Sequence, residues 1–502
     1  MRHTGILMAI SSLPSNYGIG DLGPTAFSFV DYLVKAKVKI WQILPFNGLG
    51  YGNSPYQTLS SIAGDEIFIS IDNLVEDGFL SLSDISYFKE EATQVAYDEV
   101  RLFKTKYLRK AFTHFVENYK LYEKEYLAFL NDNHWVYDYS VFLTLKEANN
   151  RLCWTDWVPE HREWIVNRDL DLSNYDEDIK YNQFLQFIFF SQWYRLKNYA
   201  NSNGVEIMGD IPYYVGIDSL DVWANRQYFL LDDEGNPTHV AGVPPDYFSR
   251  QGQRWGNPIY DWDAIAKDDY CFWVNRLEMN MKIFDIIRID HFRAFDTYWK
   301  IPASSSTAVT GEWIEAPGHK FFKHLFKRLP NIRLVVEDLG DMRPEVFELR
   351  DAYKFTGMKI KQFTLDPSET NNDFKDKENL IVYTGTHDNQ TIAGWYLEKD
   401  ADVQEEVKEY LDGQGYEGDI VDQVVQYTLA STAKLAIIPV QDILGLDDSA
   451  RMNVPGTIGS PNWEWKLADY EALEKKLMHF RHWVIESRRC EDESCCNISP
   501  NK

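Results

Sequence analysis

The stretch DIIRIDHFR, residues 285–293, joins a short β-branched strand to a dense group of ionisable side chains. Its middle part, residues 286–290, has the isoleucine-rich composition of a buried strand. At the end of that strand, Asp290 stands among Arg288, His291 and Arg293. A carboxylate fixed among cations stays ionised, and an ionised carboxylate at a strand end is equipped to act as a nucleophile. Taken alone, the stretch is also compatible with a structural ion-pair network.

Seven other segments have the apolar composition of buried strands. Segments whose apolar residues have helical spacing lie between many of them. A strand–helix–strand order is typical of βαβ units. Eight parallel strands of this kind close into a (β/α)8 TIM barrel, which is the α/β fold that we predict. The strand candidates lie within residues 6–10, 40–45, 205–212, 286–290, 334–340, 358–363, 381–389 and 435–442.

Two long segments interrupt the barrel pattern. Residues 66–203 show helical spacing with many aromatic side chains, which predicts a mostly helical insertion whose rings form core. Residues 213–284 form a second insertion with an active-site loop at 242–258, because long Pro- and aromatic-rich loops are usually functional. We predict one catalytic barrel domain over residues 1–502 that carries both insertions.

Composition excludes several classes of partner. The chain has 502 residues and a net charge of −26, which argues against nucleic acid and against an anionic membrane surface. Aromatic residues make up 15% of the chain, more ring surface than a core requires, and exposed rings suit the flat faces of sugars. The first residues contain no apolar run long enough for a signal peptide, and no stretch has the roughly 20 apolar residues of a membrane span. We expect a cytoplasmic enzyme without an obligate protein partner.

Three predicted strands end in a carboxylate: Asp290, Glu337 and Asp388. The carboxyl ends of barrel strands converge on one face, so the three side chains are expected to meet there. Paired carboxylates flanking one bond are the equipment of glycoside cleavage, and a separation of about 5–5.5 Å gives retention of configuration. Any one of them alone is more often a surface or cap carboxylate.

Local sequence assigns different roles to the first two carboxylates. Arg288 and Arg293 should lower the pKa of Asp290, which suits a nucleophile. Glu337 follows three apolar residues and is next to an acidic one, so its pKa should be raised, which suits a general acid/base. Asp388, beside His387, is expected to hold sugar hydroxyls as the ring distorts.

Motifs along almost the whole chain resemble those of 4-α-glucanotransferases of the amylomaltase (disproportionating enzyme) type, glycoside hydrolase family 77. The motifs are SLP (12–14), YGIGDLG (17–23), YGNSPYQ (51–57), GDIP (209–212), GVPPDYF (242–248), WGNP (255–258), RIDH (288–291), EDLG (337–340), THDN (386–389) and RMNVPGT (451–457). So many motifs in one order make the resemblance highly specific.

The resemblance implies transfer of an α-1,4-glucan segment to the 4-hydroxyl of an acceptor glucose or glucan through a covalent intermediate on Asp290. Glu337 would be the acid/base and Asp388 the transition-state stabiliser. The implied substrates are maltooligosaccharides, starch or glycogen chains and glucose, without a cofactor or metal. The implied sugar contacts are Ser54, Tyr56, Asp210, Arg288, His291, His387 and Asn453, and the implied closing loop contributes Tyr247, Phe248 and Trp255.

Two other functions use part of the same equipment. An α-glucan hydrolase of the α-amylase type has the same carboxylates with water as acceptor, and a closing aromatic loop that excludes water favours transfer over hydrolysis. A catalytically silent starch-binding protein needs the rings but not the three carboxylates. The histidines and cysteines near the C-terminal end fit no standard zinc spacing.

Overall fold

The computed structural model describes residues 2–88, 93–245, 249–367 and 376–490. The predicted loop residues Tyr247 and Phe248 lie outside these ranges. Within the described part, the strands are β1 (His3–Leu7), β2 (Ile40–Gln42), β3 (Glu206–Ile211), β4 (His239–Val243), β5 (Gln253–Pro258), β6 (Ile286–Ile289), β7 (Thr297–Pro302), β8 (Glu312–Glu315), β9 (Leu334–Val336), β10 (Gly357–Ile360), β11 (Leu380–Tyr383) and β12 (Leu435–Pro439).

The α-helices surround and extend this framework. They are α1 (Pro24–Lys35), α2 (Ile71–Glu76), α3 (Tyr97–Glu117), α4 (Tyr119–Asp132), α5 (Trp135–Ala148), α6 (Pro159–Asn167), α7 (Asp176–Ser202), α8 (Leu220–Ala224), α9 (Trp262–Lys267), α10 (Cys271–Ile283), α11 (Gly318–Arg328), α12 (Pro344–Ala352), α13 (Lys361–Leu365), α14 (Ile392–Glu398), α15 (Ala401–Gly413), α16 (Ile420–Ala430), α17 (Val440–Leu444) and α18 (Glu471–Glu486). Among the helices of the described residues, none combines the length and apolar character that crossing a bilayer requires.

Eight strands form one parallel sheet in the order β10-β11-β12-β1-β2-β3-β6-β9. Its two ends approach each other, because Val335 of β9 forms a parallel bridge with Thr356, the residue before β10. The sheet is therefore a nearly closed barrel, and the predicted (β/α)8 class is confirmed. Every one of the eight predicted segments contributes a barrel strand.

Six of the eight predicted segments extend at least three residues past the end of their strand. The first strand begins at His3 and ends at Leu7, earlier than expected from the apolar run. Residues 361–363 belong to helix α13, and residues 440–442 to helix α17, so both apolar runs continue from strand into helix. An apolar run fully buried against the barrel has the same composition in either conformation, so composition alone does not mark the change.

The described part of the segment between β2 and β3 is mostly helical and builds an aromatic core. Helix α7 packs along α5, and the chain then continues into β3. The rings of Phe112 and Phe115 from α3 meet Phe184 of α7, with the Phe115 and Phe184 centroids 4.9 Å apart. Edge and tilted ring contacts of this kind add to the burial of apolar area. This segment is an outer layer attached to the barrel.

A four-stranded antiparallel sheet, in the order β5-β4-β7-β8, lies beside the barrel and was not expected from the sequence. It joins strands from the segment before β6 to strands that follow β6. Its strands are short, and β5 contains Gly256 in a left-handed conformation (φ 83°) and ends in proline. Glycine and proline are depleted in strands, so these residues suggested a loop.

Candidate active site

Asp290 and Glu337 leave neighbouring barrel strands at the same level. Ile289 of β6 is the register partner of Val336 of β9, and each carboxylate is the next residue of its chain. Backbone hydrogen bonds continue past the strands, since Asp290 N–H donates to Ile211 O (3.0 Å) and Glu337 N–H donates to Ile289 O (2.9 Å). Neighbouring strands lie about 4.8 Å apart, so the two carboxylates start from backbone positions one strand spacing apart.

A buried arginine joins Asp290 to a second aspartate. The Arg288 Nη1 atom donates to both oxygens of Asp210, at 2.7 and 2.6 Å, and to Oδ1 of Asp290 at 3.1 Å. Arg288 and Asp210 are register partners on β6 and β3, and both side chains are buried. The Asp290 side chain remains 30% exposed, so it is anchored on one side and open to the cleft on the other.

Two backbone N–H groups hold the Glu337 carboxyl group. His291 N–H donates to Oε2 at 2.9 Å, and Leu339 N–H donates to Oε1 at 2.9 Å. His291 is in the left-handed region (φ 53°), which turns the chain directly after Asp290. The backbone that follows the first carboxylate therefore orients the second one.

The pKa values of the two carboxyl groups are both raised, but by different amounts. Burial raises the pKa of Asp290 to about 6, against the opposing effect of Arg288, and the carboxylates of Asp210 and Asp388 add to the rise. Burial and the Asp290 charge raise the pKa of Glu337 to about 8. Between these values Asp290 is the ionised member and Glu337 the protonated member of the pair.

The expectation that Arg288 and Arg293 place the pKa of Asp290 below its ordinary value is wrong. Arg293, one of the two cations invoked, makes its ion pair with Asp341 (3.8 Å) and stacks on Trp313, with the guanidinium carbon 4.0 Å from the ring centre. Arg288 does contact Asp290, but it is shared with Asp210, and burial outweighs its charge. The predicted rise in the pKa of Glu337 is confirmed.

Asp388 reaches the site from a loop after β11. Asn453 Nδ2 donates to Asp388 Oδ1 at 2.6 Å, and Arg451 Nη2 donates to the Asp388 carbonyl at 2.8 Å. His387 Nε2 lies 3.5 Å from Asp388 Oδ2. The Asp388 side chain is 46% exposed, so it has room to accept further hydrogen bonds.

Tyr56 forms one wall of the site and is tied to its ion network. Its hydroxyl donates to Asp210 Oδ2 at 2.8 Å, and its ring stacks on His387 with centroids 5.1 Å apart. Ser54 Oγ accepts a hydrogen bond from Tyr56 N–H at 3.3 Å, so Ser54 helps to fix the conformation of the loop that carries the Tyr56 ring. Burial, with the Asp210 charge, raises the pKa of Tyr56 well above its ordinary value, which keeps the hydroxyl a donor.

His291 and Trp255 form a second edge of the site, directly after Asp290 in the chain and in β5. The Trp255 ring meets the His291 ring edge-on, with centroids 4.9 Å apart, and its Nε1 donates to Gln253 Oε1 at 3.1 Å. Burial lowers the pKa of His291 to about 4, so its imidazole is neutral at physiological pH. A neutral imidazole offers one donor and one acceptor, which suits a sugar hydroxyl.

Two residues of the site were not singled out from the sequence. Arg451 supports the Asp388 backbone and lies in the RMNVPGT motif, so its motif was an available signal. Trp463 packs against Tyr56 and His387, with centroids 5.7 and 5.8 Å away, and nothing local distinguishes it from a core tryptophan. Within the described ranges, no group of three or more His, Cys, Asp or Glu side chains is arranged to hold a metal ion.

A (β/α)8 barrel with a coupled pair of carboxyl groups at its strand ends has the equipment of an enzyme that breaks and forms glycosidic bonds. The glycoside hydrolase family 77 model, described as 4-alpha-glucanotransferase, matches residues 8–472, and the chain belongs to this family. The family identification drawn from the motifs is thereby confirmed, and with it the expected class of enzyme.

Relatives match over nearly their whole length. The chain is 43% identical to a 4-alpha-glucanotransferase of Streptococcus pneumoniae serotype 4 over 490 residues, which is 95% of this chain and 96% of the relative. It is 40% identical to the 4-alpha-glucanotransferase of Thermus thermophilus, over 93% of this chain and 95% of the relative. The solved amylomaltase from Streptococcus agalactiae, in complex with acarbose, superposes with a TM-score of 0.93 at 34% identity and covers 98% of this chain and 100% of its own.

Proposed function

We propose that this enzyme transfers an α-1,4-glucan segment by double displacement, with Asp290 as nucleophile and Glu337 as acid/base. The observation that carries the proposal is the pair itself. Two carboxyl groups on neighbouring strand ends have pKa values of about 6 and about 8, so near neutral pH one is ionised and the other protonated. A pair in these two states is what the first step of a retaining mechanism requires.

In the first step, Asp290 attacks the anomeric carbon of the donor glucan. The bond between that carbon and the O4 oxygen of the next sugar breaks, and Glu337 gives its proton to the departing oxygen. The products are a glucosyl ester on Asp290 and a shortened chain with a free 4-hydroxyl. Arg288 holds Asp290 in place through its 3.1 Å contact and prevents rotation away from the cleft.

In the second step, the 4-hydroxyl of an acceptor attacks the same carbon from the side on which the first chain left. Glu337, now ionised, takes the proton of that hydroxyl, and Asp290 departs as a carboxylate. The configuration at the anomeric carbon is retained after two inversions. The hydrogen bonds from the backbone N–H groups of His291 and Leu339 hold the Glu337 carboxyl group in the same orientation for both proton transfers.

We assign contacts to the donor sugar to groups that already converge on the cleft. Asp388, fixed by Asn453, accepts hydroxyl hydrogen bonds that strengthen as the ring flattens towards the oxocarbenium-like transition state. His387 and His291 contribute ring N–H donors, and Tyr56 packs against the sugar face. The buried ion pair of Asp210 and Arg288 lies beneath the donor sugar in this assignment.

Transfer requires that an acceptor sugar competes with water at the intermediate. Trp255 of β5, which packs against His291, supplies an apolar ring for the acceptor, and we propose the same role for Tyr247 and Phe248, which come between β4 and β5 in the chain. The substrates that we propose are maltooligosaccharides, starch or glycogen chains, and glucose as acceptor. The amylomaltase of Streptococcus agalactiae was solved with acarbose bound. The proposed location is the cytoplasm.

Incubation with maltotriose alone separates transfer from hydrolysis. We expect glucose together with a ladder of longer maltooligosaccharides, while the number of reducing ends stays nearly constant. Chromatography of the products and a reducing-end assay on the same samples measure both quantities. A steady rise in reducing ends without longer products would replace the proposal with an α-glucan hydrolase.

A further inference from the structure

The loop that carries His387 and Asp388 is attached at both of its ends to one buried carboxylate. Thr384 Oγ1 donates to Asp442 Oδ2 at 2.5 Å at the start of the loop, and Ile392 N–H donates to Asp442 Oδ1 at 2.8 Å at its end. Asp442 belongs to helix α17, directly after β12, and is only 2% exposed. Both carboxylate oxygens of Asp442 therefore accept a hydrogen bond from this loop.

The following segment holds the same loop at further points. Asp448 accepts from Gln390 Nε2 at 2.7 Å and from Thr391 N–H at 3.0 Å. Arg451 and Asn453 then donate to Asp388 itself. The position of the Asp388 carboxylate therefore depends on residues 442–453, and Asp442 is the deepest of these attachments.

We propose that Asp442 is a positioning residue for the transfer reaction, acting through the 384–392 loop on His387 and Asp388. The inference rests on the proposed role of Asp388 in the transition state. Asp442 does not touch the cleft, and its two bonds fix the distance between the loop ends. A displacement of about 1 Å of a transition-state contact costs on the order of 100-fold in rate, so loss of these bonds reaches the chemistry although the residue is remote.

The test is a double-mutant cycle of Asp442→Ala and Asp388→Asn, assayed with a maltosyl fluoride donor so that slow variants stay measurable. We expect Asp442→Ala to lower kcat by about 100-fold and to change KM by less than about 3-fold. In the Asp388→Asn background, the same substitution should cost less than about 5-fold, because the contact that it positions is already gone. A loss of about 100-fold in both backgrounds, or unchanged kcat in the single variant, would overturn the proposal.

The conservative variant separates positioning from general stability. Asp442→Asn keeps an oxygen for Ile392 N–H and sets an amide against the Thr384 hydroxyl, which then accepts instead of donating. We expect it to recover most of kcat. Asp21→Asn changes another buried carboxylate, held by Lys104 at 3.0 Å, and is the matched control for burial without contact to the loop. An equal loss of kcat in the Asp21 variant would show that Asp442 has only a structural role and would overturn the proposal.

A milder variant covers the case in which Asp442→Ala does not fold. Thr384→Val removes one of the two bonds and keeps the branched shape of the side chain. Its kcat should fall about 5–10-fold, with little further loss in the Asp388→Asn background. An unchanged kcat for this variant contradicts the proposal. Full activity of Asp388→Asn alone would instead refute the role of Asp388 and leave the geometry of the loop unexplained.

Discussion

The ends of strands β6 and β9 are neighbours in the barrel, but they give their carboxylates different surroundings. At the end of β6, Asp290 contacts the guanidinium of Arg288. At the end of β9, Glu337 has only two backbone N–H groups as partners within the described residues. Burial raises the pKa of both groups, and the guanidinium contact at Asp290 contributes to the separation between a pKa of about 6 and one of about 8.

The shared barrel end brings the two carboxyl groups close together, whereas the counter-ion at Asp290 helps to give them different roles. Burial acts on both groups in the same direction. The guanidinium of Arg288, which contacts Asp290 but not Glu337, favours loss of the proton from Asp290 first. Burial is the main reason why the pKa of Asp290 stays above its ordinary value, and the neighbouring Asp210 carboxylate, which shares Arg288, adds to the rise.

The largest effect is expected for removal of the β6 carboxylate. Asp290→Asn should reduce transfer from maltotriose by at least about 10,000-fold, since no nucleophile of comparable position remains. Asp341→Asn is the matched control, because that carboxylate is fully solvent-exposed near the same strand end. Chromatographic product assays at high enzyme concentration measure both variants. Substantial ladder formation by Asp290→Asn would remove the assignment of nucleophile.

A smaller effect is expected when the counter-ion is removed. Arg288→Met leaves Asp210 and Asp290 without their shared cation, so the pKa of Asp290 should rise further. The acid limb of kcat/KM, near pH 6 in the unchanged enzyme, should move to higher pH, and the alkaline limb, near pH 8, should also rise because Arg288 lowers the pKa of Glu337. The maximal rate should fall about 100-fold.

Arg293→Met is the control for this experiment. It removes a charge of the same sign three residues beyond Asp290, but the Arg293 guanidinium stacks on Trp313 and pairs with Asp341 instead. Its acid limb should stay in place. Equal shifts in both variants would show that overall charge, and not the contact with Arg288, sets the pKa of Asp290.

The smallest effect concerns stability. The pKa of Glu337 in the folded protein, about 8, lies above its ordinary value of 4.5, so the folded state holds this proton more tightly than the unfolded chain does. The free energy of unfolding therefore falls as the pH rises from about 4.5 to about 8. Glu337→Gln cannot lose this proton, and its Tm advantage over the unchanged enzyme should grow across that range by a few degrees. A constant Tm difference across the range would contradict the raised pKa.

The barrel was predictable because its strands are apolar and most of them end in polar residues at one level. Asp290, Glu337 and Asp388 were identified for the same reason, since a carboxylate after an Ile- or Val-rich run is a local signal. The small antiparallel sheet was missed because its strands contain glycine and proline and pair with segments on both sides of β6.

The direction in which the pKa of Asp290 is shifted was not predictable from the sequence. Chain proximity suggested Arg293 as a neighbour, but a 3-10 turn follows His291, and the arginine leaves the site. Burial, the largest influence on this group, depends on the closed barrel and the elements above it. Likewise Trp463 joins Tyr56 from more than 400 residues away in the chain, and no local pattern connects them.

Trapping the covalent intermediate identifies the nucleophile of the reaction. Glu337→Gln should still react with a maltotriosyl fluoride donor, because fluoride departs without a proton, but its second step should be slow because no base remains. Rapid quenching, digestion and mass spectrometry should then find a maltotriosyl group on the peptide that contains Asp290. A trapped sugar on Asp388 or another residue, or turnover of the fluoride with no adduct under these conditions, would contradict the account.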